Sequence, residues 1–196
     1  MDSVDYPHLV ETRLASRELL RGNFLHAFED QVALPDGTQA TREYVKHPGA
    51  VMVIALLDPG PAPRVVVERQ FRYPIGQAML EFPAGKLDPG ESVLACAQRE
   101  LREETGYRAA QWARAGVIHP VIAYSTECIE IWFARDLVPG ERALDPGEFL
   151  DVLSATPQEL LHWCAQGLLT DAKTIAGMLW LNNVLSGLWT LDWQPA

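Results

Sequence analysis

Residues 85–107 read Gly-Lys-Leu-Asp-Pro-Gly-Glu-Ser-Val-Leu-Ala-Cys-Ala-Gln-Arg-Glu-Leu-Arg-Glu-Glu-Thr-Gly-Tyr, a Gly/Pro loop running into an acidic segment. Apolar spacing predicts a helix over residues 92–105, with Leu94, Ala97 and Leu101 on one inward stripe and Val93 beside it. Gly106 can end that helix in the left-handed conformation. Glu100, Glu103 and Glu104 then fall at i, i+3 and i+4 and share one patch. Like charges at that spacing cost roughly a few tenths of a kcal/mol per pair, and the negative end of the helix dipole adds to the penalty. Either Arg99 or Arg102 screens a solvated face, or something cationic offsets the repulsion.

The surrounding letters favour the second reading. Gly85, five residues, Glu91, seven residues, then Arg99-Glu100-apolar-x-Glu103-Glu104-x-Gly106-apolar is a fixed register. Such a register arises by chance with a probability on the order of 10⁻⁸ per starting point. The stretch resembles the signature of the Nudix hydrolases at every specified position. Further segments are similar to the ADP-ribose pyrophosphatase branch: Arg69-Gln-Phe-Arg-Tyr-Pro, Glu81-Phe-Pro-Ala-Gly, Gly147-Glu-Phe and Asp171-Ala-Lys-Thr-Ile. The resemblance implies hydrolysis of a nucleoside diphosphate derivative, here ADP-ribose to AMP and ribose 5-phosphate. One departure bears on the substrate. The branch commonly carries a Ser-Pro-Gly-like turn late in the loop after the box, whereas this chain has Pro120 early and Ile122-Ala-Tyr where the turn belongs.

The rest of the sequence narrows the class. With 196 residues and a formal net charge of −10, the chain is long enough for a core plus a small appendage, and it lacks the basic surface that collects nucleic acid or anionic lipid. A small phosphorylated ligand stays compatible, because its contacts are few and local. Cys96, Cys128 and Cys164 are widely spaced and odd in number, which speaks against a disulfide framework or a zinc site. The first five residues lack a signal-peptide pattern, and no apolar run approaches the roughly 20 residues that span a bilayer, so a cytoplasmic protein is expected.

Along the chain, residues 9–46 suit strands, with a hairpin signal at Pro35-Asp-Gly, and are expected to form an N-terminal β arm (residues 1–46) that packs on a second subunit in a homodimer. Residues 47–196 are expected to form the catalytic domain. Residues 50–57 and 64–70 read as strands buried on both faces, joined by a Pro/Gly loop at residues 58–63. Short strands follow at 79–82, 112–119, 127–135 and 149–153. Thr156, Pro157 and Glu159 predict one capped helix and Asp171 a second, longer one. The expected fold is α/β (α+β): a mixed sheet sandwiched between helices, with a small antiparallel β arm.

Chemistry assigns candidates. Hydrolysing a diphosphate needs its charge neutralised and a water activated, and divalent cations do both. Mg²⁺, with Mn²⁺ as a substitute, takes oxygen ligands. Glu100 and Glu104, with the Ala84 carbonyl opposite and Glu103 sharing, are the ligand candidates; Glu103 is also carried as a catalytic candidate. Metal-bound carboxylates are poor bases. By resemblance the general base comes from the loop before the last strand, where Glu148 fits best and Asp145 competes. Arg72 can pair with a phosphate, and Glu127 can accept from ribose hydroxyls, both positions supported by the resemblance. Arg42 is weighed as a ligand contact against a solvated strand charge, and Phe24 or Phe28 as an adenine platform against core. Arg99 is expected to fix the loop through Glu91. Competing readings are another Nudix substrate (a sugar nucleotide, NADH or a dinucleoside polyphosphate) and a module that senses nucleotide without hydrolysing it.

Overall fold

The computed structural model describes residues 6–58 and 63–196, so most of the Pro/Gly loop expected at 58–63 lies outside the described residues. The chain divides into two compact units. The first comprises residues up to Pro48 together with Val121–Glu127, and the second Gly49–Pro120 with Cys128–Ala196.

In the first unit, β1 (Thr12–Arg21), β2 (His26–Ala33) and β3 (Gln39–Lys46) form an antiparallel meander in that order. The expected turn at Asp36-Gly37 joins β2 to β3; Asp36 accepts from the Thr38 amide at 2.9 Å, and Gly37 takes φ of 84°. The segment after Pro120 belongs here through backbone bonds: the amides of Val45 and Thr126 donate to the carbonyls of Tyr124 and Val45. All ten residues of β1 are exposed, Leu14, Leu19 and Leu20 included.

The second unit is built on β4 (Ala50–Asp58), β5 (Arg64–Arg72), β6 (Gln77–Glu81), β7 (Ala84–Lys86), β8 (Arg108–Ile118), β9 (Ile129–Val138), β10 (Leu150–Ala155) and β11 (Gln194–Pro195). Their order is β10-β5-β4-β9-β8-β11, with β4 parallel to β9 and the other neighbours antiparallel. Between β4 and β5 the sheet parts. They pair only near Leu56 and Val65, after which β7 takes the start of β4 and β6 the end of β5. Alternation along β4 explains both cores. Met52, Ile54 and Leu56 pack in one cluster with Leu160, Met178 and Leu181 of α2 (Pro157–Ala165) and α3 (Ala172–Leu185). Val51, Val53 and Ala55 pack in the other with Cys96, Ala97 and Leu101 of α1 (Val93–Thr105). The sheet is thus sandwiched between helices, as the sequence predicts.

Local chemistry sets the helix ends. Ser92 caps α1 by accepting from the Ala95 amide, and Gly106 stops it at φ 79°. Thr156 and Glu159 complete a capping box on α2, behind Pro157 at its first position. Asp171 caps α3 by accepting from Thr174, and the Thr174 hydroxyl in turn accepts from the Phe82 amide at 2.9 Å. The start of α3 is therefore tied to the strand end that leads into the acidic stretch. Among the described residues no helix is long and apolar enough to cross a membrane.

Candidate functional site

Arg99 is the hub of the acidic stretch. Its Nε and Nη2 donate to the two Glu91 oxygens at 2.8 and 2.9 Å, its Nη1 to Glu100 at 2.8 Å and Glu103 at 3.3 Å, and its Nη2 to the Lys86 carbonyl at 3.1 Å. The Arg99–Glu91 pair expected from the sequence is present, and Arg99 holds the Glu91 carboxyl down at about 2. The three helix acids then diverge. Glu103 points to Arg99 and Arg102, whose Nη2 lies 2.6 Å away. Glu100 lies over Gly85, where a Cβ would fall 1.8 Å from its carboxyl carbon, so any side chain at 85 evicts it. Glu104, 3% exposed, turns inward and accepts from the Ala84 amide at 3.1 Å.

The sequence reading missed Glu68. It lies on β5 two residues from Val66, on the face that meets α1, opposite Glu81 in register. Glu68 is 3% exposed, and its Oε1 has no hydrogen-bond partner. Burial, then the charges of Glu148 and Glu81, push its carboxyl up to about 8. Burial, then Glu68, Glu100 and Glu148, raise Glu104 well above the carboxylate range. Glu100 is raised by burial first, with Glu103 and Glu148 adding and Arg99 opposing. Four carboxylates, Glu68, Glu100, Glu104 and Glu148, therefore repel one another within one field. The available signal was a lone acid inside an apolar run that reads as buried on both faces.

Glu148 enters this field through strand pairing. Leu150 of β10 faces Gln70 of β5, and Gln70 Nε2 donates to Glu148 Oε1 at 3.1 Å. Asp145 is exposed, and its carbonyl accepts from the Glu148 amide at 3.0 Å. Arg72 shares the face of Glu68 and Gln70, but its fork is engaged: Nε and Nη2 donate to Glu81 Oε1 and Oε2, each at 2.7 Å. Lys173 of α3 holds the same Glu81 carboxylate and also Asp171, at 3.0 Å. Neither Glu81 nor Lys173 was singled out from the sequence beyond its motif.

The remaining candidates lie in the first unit. Arg42 is paired with Glu11, Nε to Oε2 at 2.9 Å. Glu127 lies 3.6 Å from His47 Nε2, and the Phe24 ring meets the His47 ring edge-on at 5.3 Å between centroids. Phe28 stacks on Tyr44 at 5.8 Å.

An oxygen-only donor set with an orphaned buried carboxylate oxygen fits a hard divalent cation. As oriented, no three His, Cys, Asp or Glu side chains among the described residues stand together as a metal cage, because Glu100, Glu104 and Glu148 are each turned to a protein donor. Two clefts of the second unit, about 370 Å³ beside Arg102, Arg108 and Trp112 and about 420 Å³ beside Arg69, Arg142 and Phe149, are not lined by these four acids. The carboxylate cluster is the chemically distinctive site.

The cluster has a consequence for stability. A carboxyl raised from 4.5 to about 8 favours the folded state fully below pH 4.5 and loses that contribution as pH rises through about 8. Metal-free protein is expected to lose thermal stability across that window, and Glu68→Gln to flatten the loss. Melting in EDTA from pH 5 to about 9 checks it; parallel curves for wild type and variant would contradict the placement of Glu68.

Known proteins decide the family. The NUDIX domain profile matches residues 46–176, and the nucleoside diphosphate sugar hydrolase N-terminal domain profile matches residues 11–45. The chain belongs to the Nudix family. Among similar proteins, the ADP-ribose pyrophosphatase of Bacillus subtilis (strain 168) is 34% identical over 175 residues, covering 88% of this chain and 93% of the relative. The methanol dehydrogenase activator of Bacillus methanolicus is also 34% identical over 175 residues, covering 87% and 92%. The crystal structure of an ADP compounds hydrolase superposes with a TM-score of 0.80 at 22% identity, covering 91% of this chain and 95% of that one, which shows the shared Nudix fold.

Proposed function

We propose that this Nudix protein is a divalent-metal-dependent hydrolase that cleaves the diphosphate of ADP-ribose to AMP and ribose 5-phosphate. The observation that carries the reading is the buried set of mutually repelling carboxylates around Glu104, which a protein without a cation to bind has no reason to tolerate. Similarity to an ADP-ribose pyrophosphatase over most of both chains supports the substrate.

Glu100 and Glu104, with Glu103 and the Ala84 carbonyl, would hold Mg²⁺ or Mn²⁺. When bound, the ion neutralises phosphate charge and lowers the pKa of a water. Glu148 is the general base: it is half-buried, sits in the field of the other acids, and is held by Gln70 rather than by a cation. Arg72 meets the diphosphate. Within the first unit, Glu127 is the proposed acceptor from ribose hydroxyls, Phe24 the proposed adenine platform, and Arg42, paired with Glu11, a further proposed ligand contact. The exposed leucines of β1 support an arm that docks on a second copy, in a cytoplasmic homodimer; a monomeric mass in light scattering would count against that arm.

One observation favours a second reading, a different nucleoside diphosphate sugar: the match of residues 11–45 to the N-terminal domain of nucleoside diphosphate sugar hydrolases. A panel of ADP-ribose, sugar nucleotides, NADH and dinucleoside polyphosphates, each with and without Mg²⁺, separates the two. Preference for ADP-ribose supports the first reading; preference for another sugar nucleotide replaces it with the second.

A further inference from the structure

Glu81 is a buried anion with two cations. Its side chain is 5% exposed, Arg72 grips both oxygens, and Lys173 holds Oε2. The cations differ in access. Lys173 is 13% exposed and also bound to Asp171, whereas Arg72 is 39% exposed and, beyond Nε and Nη2, has its Nη1 without a protein partner among the described residues. Arg72 is therefore the member that an incoming anion reaches.

A guanidinium closed in a bidentate pair offers little charge to a phosphate. If it turned to the phosphate, Glu81 would be left ionised in a nearly dry setting, which is strongly unfavourable without another partner. Lys173 is that partner. We propose that Lys173 is a positioning residue of the reaction: it keeps the Glu81 carboxylate paired while Arg72 passes from Glu81 to the substrate diphosphate. The placement is built into the fold, since Asp171 both caps α3 and accepts from Lys173, and Thr174 ties the same turn to Phe82, the neighbour of Glu81. It also gives the Asp171-Ala-Lys-Thr segment a role. The inference rests on the proposed diphosphate substrate.

In the free protein Arg72 still pairs with Glu81 when Lys173 is lost, so Lys173→Met is expected to melt close to wild type. The loss appears on binding. In calorimetric titration with ADP-ribose in EDTA, Lys173→Met is expected to bind about tenfold more weakly, Lys173→Arg nearly as wild type, and Glu81→Gln/Lys173→Met as well as Glu81→Gln alone, because no charge is then stranded. In turnover the loss falls on KM with kcat little changed. Wild-type affinity in Lys173→Met, or a double variant as weak as Lys173→Met itself, overturns the proposal while leaving the hydrolase reading intact. No cleavage of ADP-ribose or any other diphosphate by wild type with Mg²⁺ overturns both.

Discussion

Glu104→Gln is expected to lower ADP-ribose turnover by more than about a hundredfold, beyond what the loss of an outer-shell partner costs, while leaving the fold intact. The glutamine oxygen can still accept from the Ala84 amide, as Glu104 Oε2 does at 3.1 Å. What disappears is one charge from a group of acids that raise one another. The metal-free variant should therefore melt no lower than wild type, and higher above neutral pH. Mg²⁺ should raise the Tm of wild type and leave Glu100→Gln/Glu104→Gln unmoved. A change that lowers activity and raises stability together is characteristic of a site held under electrostatic strain. Near-normal turnover in Glu104→Gln, or an unchanged Mg²⁺ shift in the double variant, would remove Glu104 from the site.

Glu148→Gln is expected to cost about 10² to 10⁴ in kcat, the usual contribution of a general base, and Asp145→Asn no more than a few-fold. The two acids share one turn, yet their surroundings differ. Glu148 is held by Gln70 and its charge reaches Glu68, Glu100 and Glu104. Asp145 is exposed and contributes its backbone carbonyl to the turn, which asparagine retains. Gly147, at φ 88°, lets the chain reverse so that Glu148 points back to β5. Full turnover in Glu148→Gln with a large loss in Asp145→Asn would exchange their roles.

The features that were legible in the sequence rest on local chemistry. Gly106, Thr156 with Pro157 and Glu159, and Asp171 mark helix ends because their letters satisfy terminal backbone groups within one turn. The run at residues 50–57 reads as a strand buried on both faces because each face meets its own helices. What was not legible depends on distant pairing. Strand β7 is Ala-Gly-Lys, letters with little strand preference, and exists because β4 offers it an edge where β5 has left. The segment Val121–Glu127 joins the first unit through backbone bonds to Val45, which carry no side-chain signal.

The site divides along the same line. Glu100, Glu103 and Glu104 stood out because helical spacing puts them on one patch. Glu68 did not, since an acid in Val65-Val-Val-Glu-Arg is only informative once the strand is known to be buried at that position. Lys173 and Glu81 are 92 residues apart and meet only because α3 is pinned to the end of β6. Arg72, expected to pair with phosphate, is instead found in a fork with Glu81.

The most direct test of the account is the fate of ADP-ribose itself. Incubated with the protein and Mg²⁺ and analysed by mass spectrometry, it is predicted to yield AMP and ribose 5-phosphate in equal amounts. With EDTA, or with Glu104→Gln, it should remain intact. ADP-ribose that stays whole with Mg²⁺, or cleavage that proceeds unchanged in EDTA, would contradict the reading of the carboxylate cluster as a metal-dependent diphosphate hydrolase.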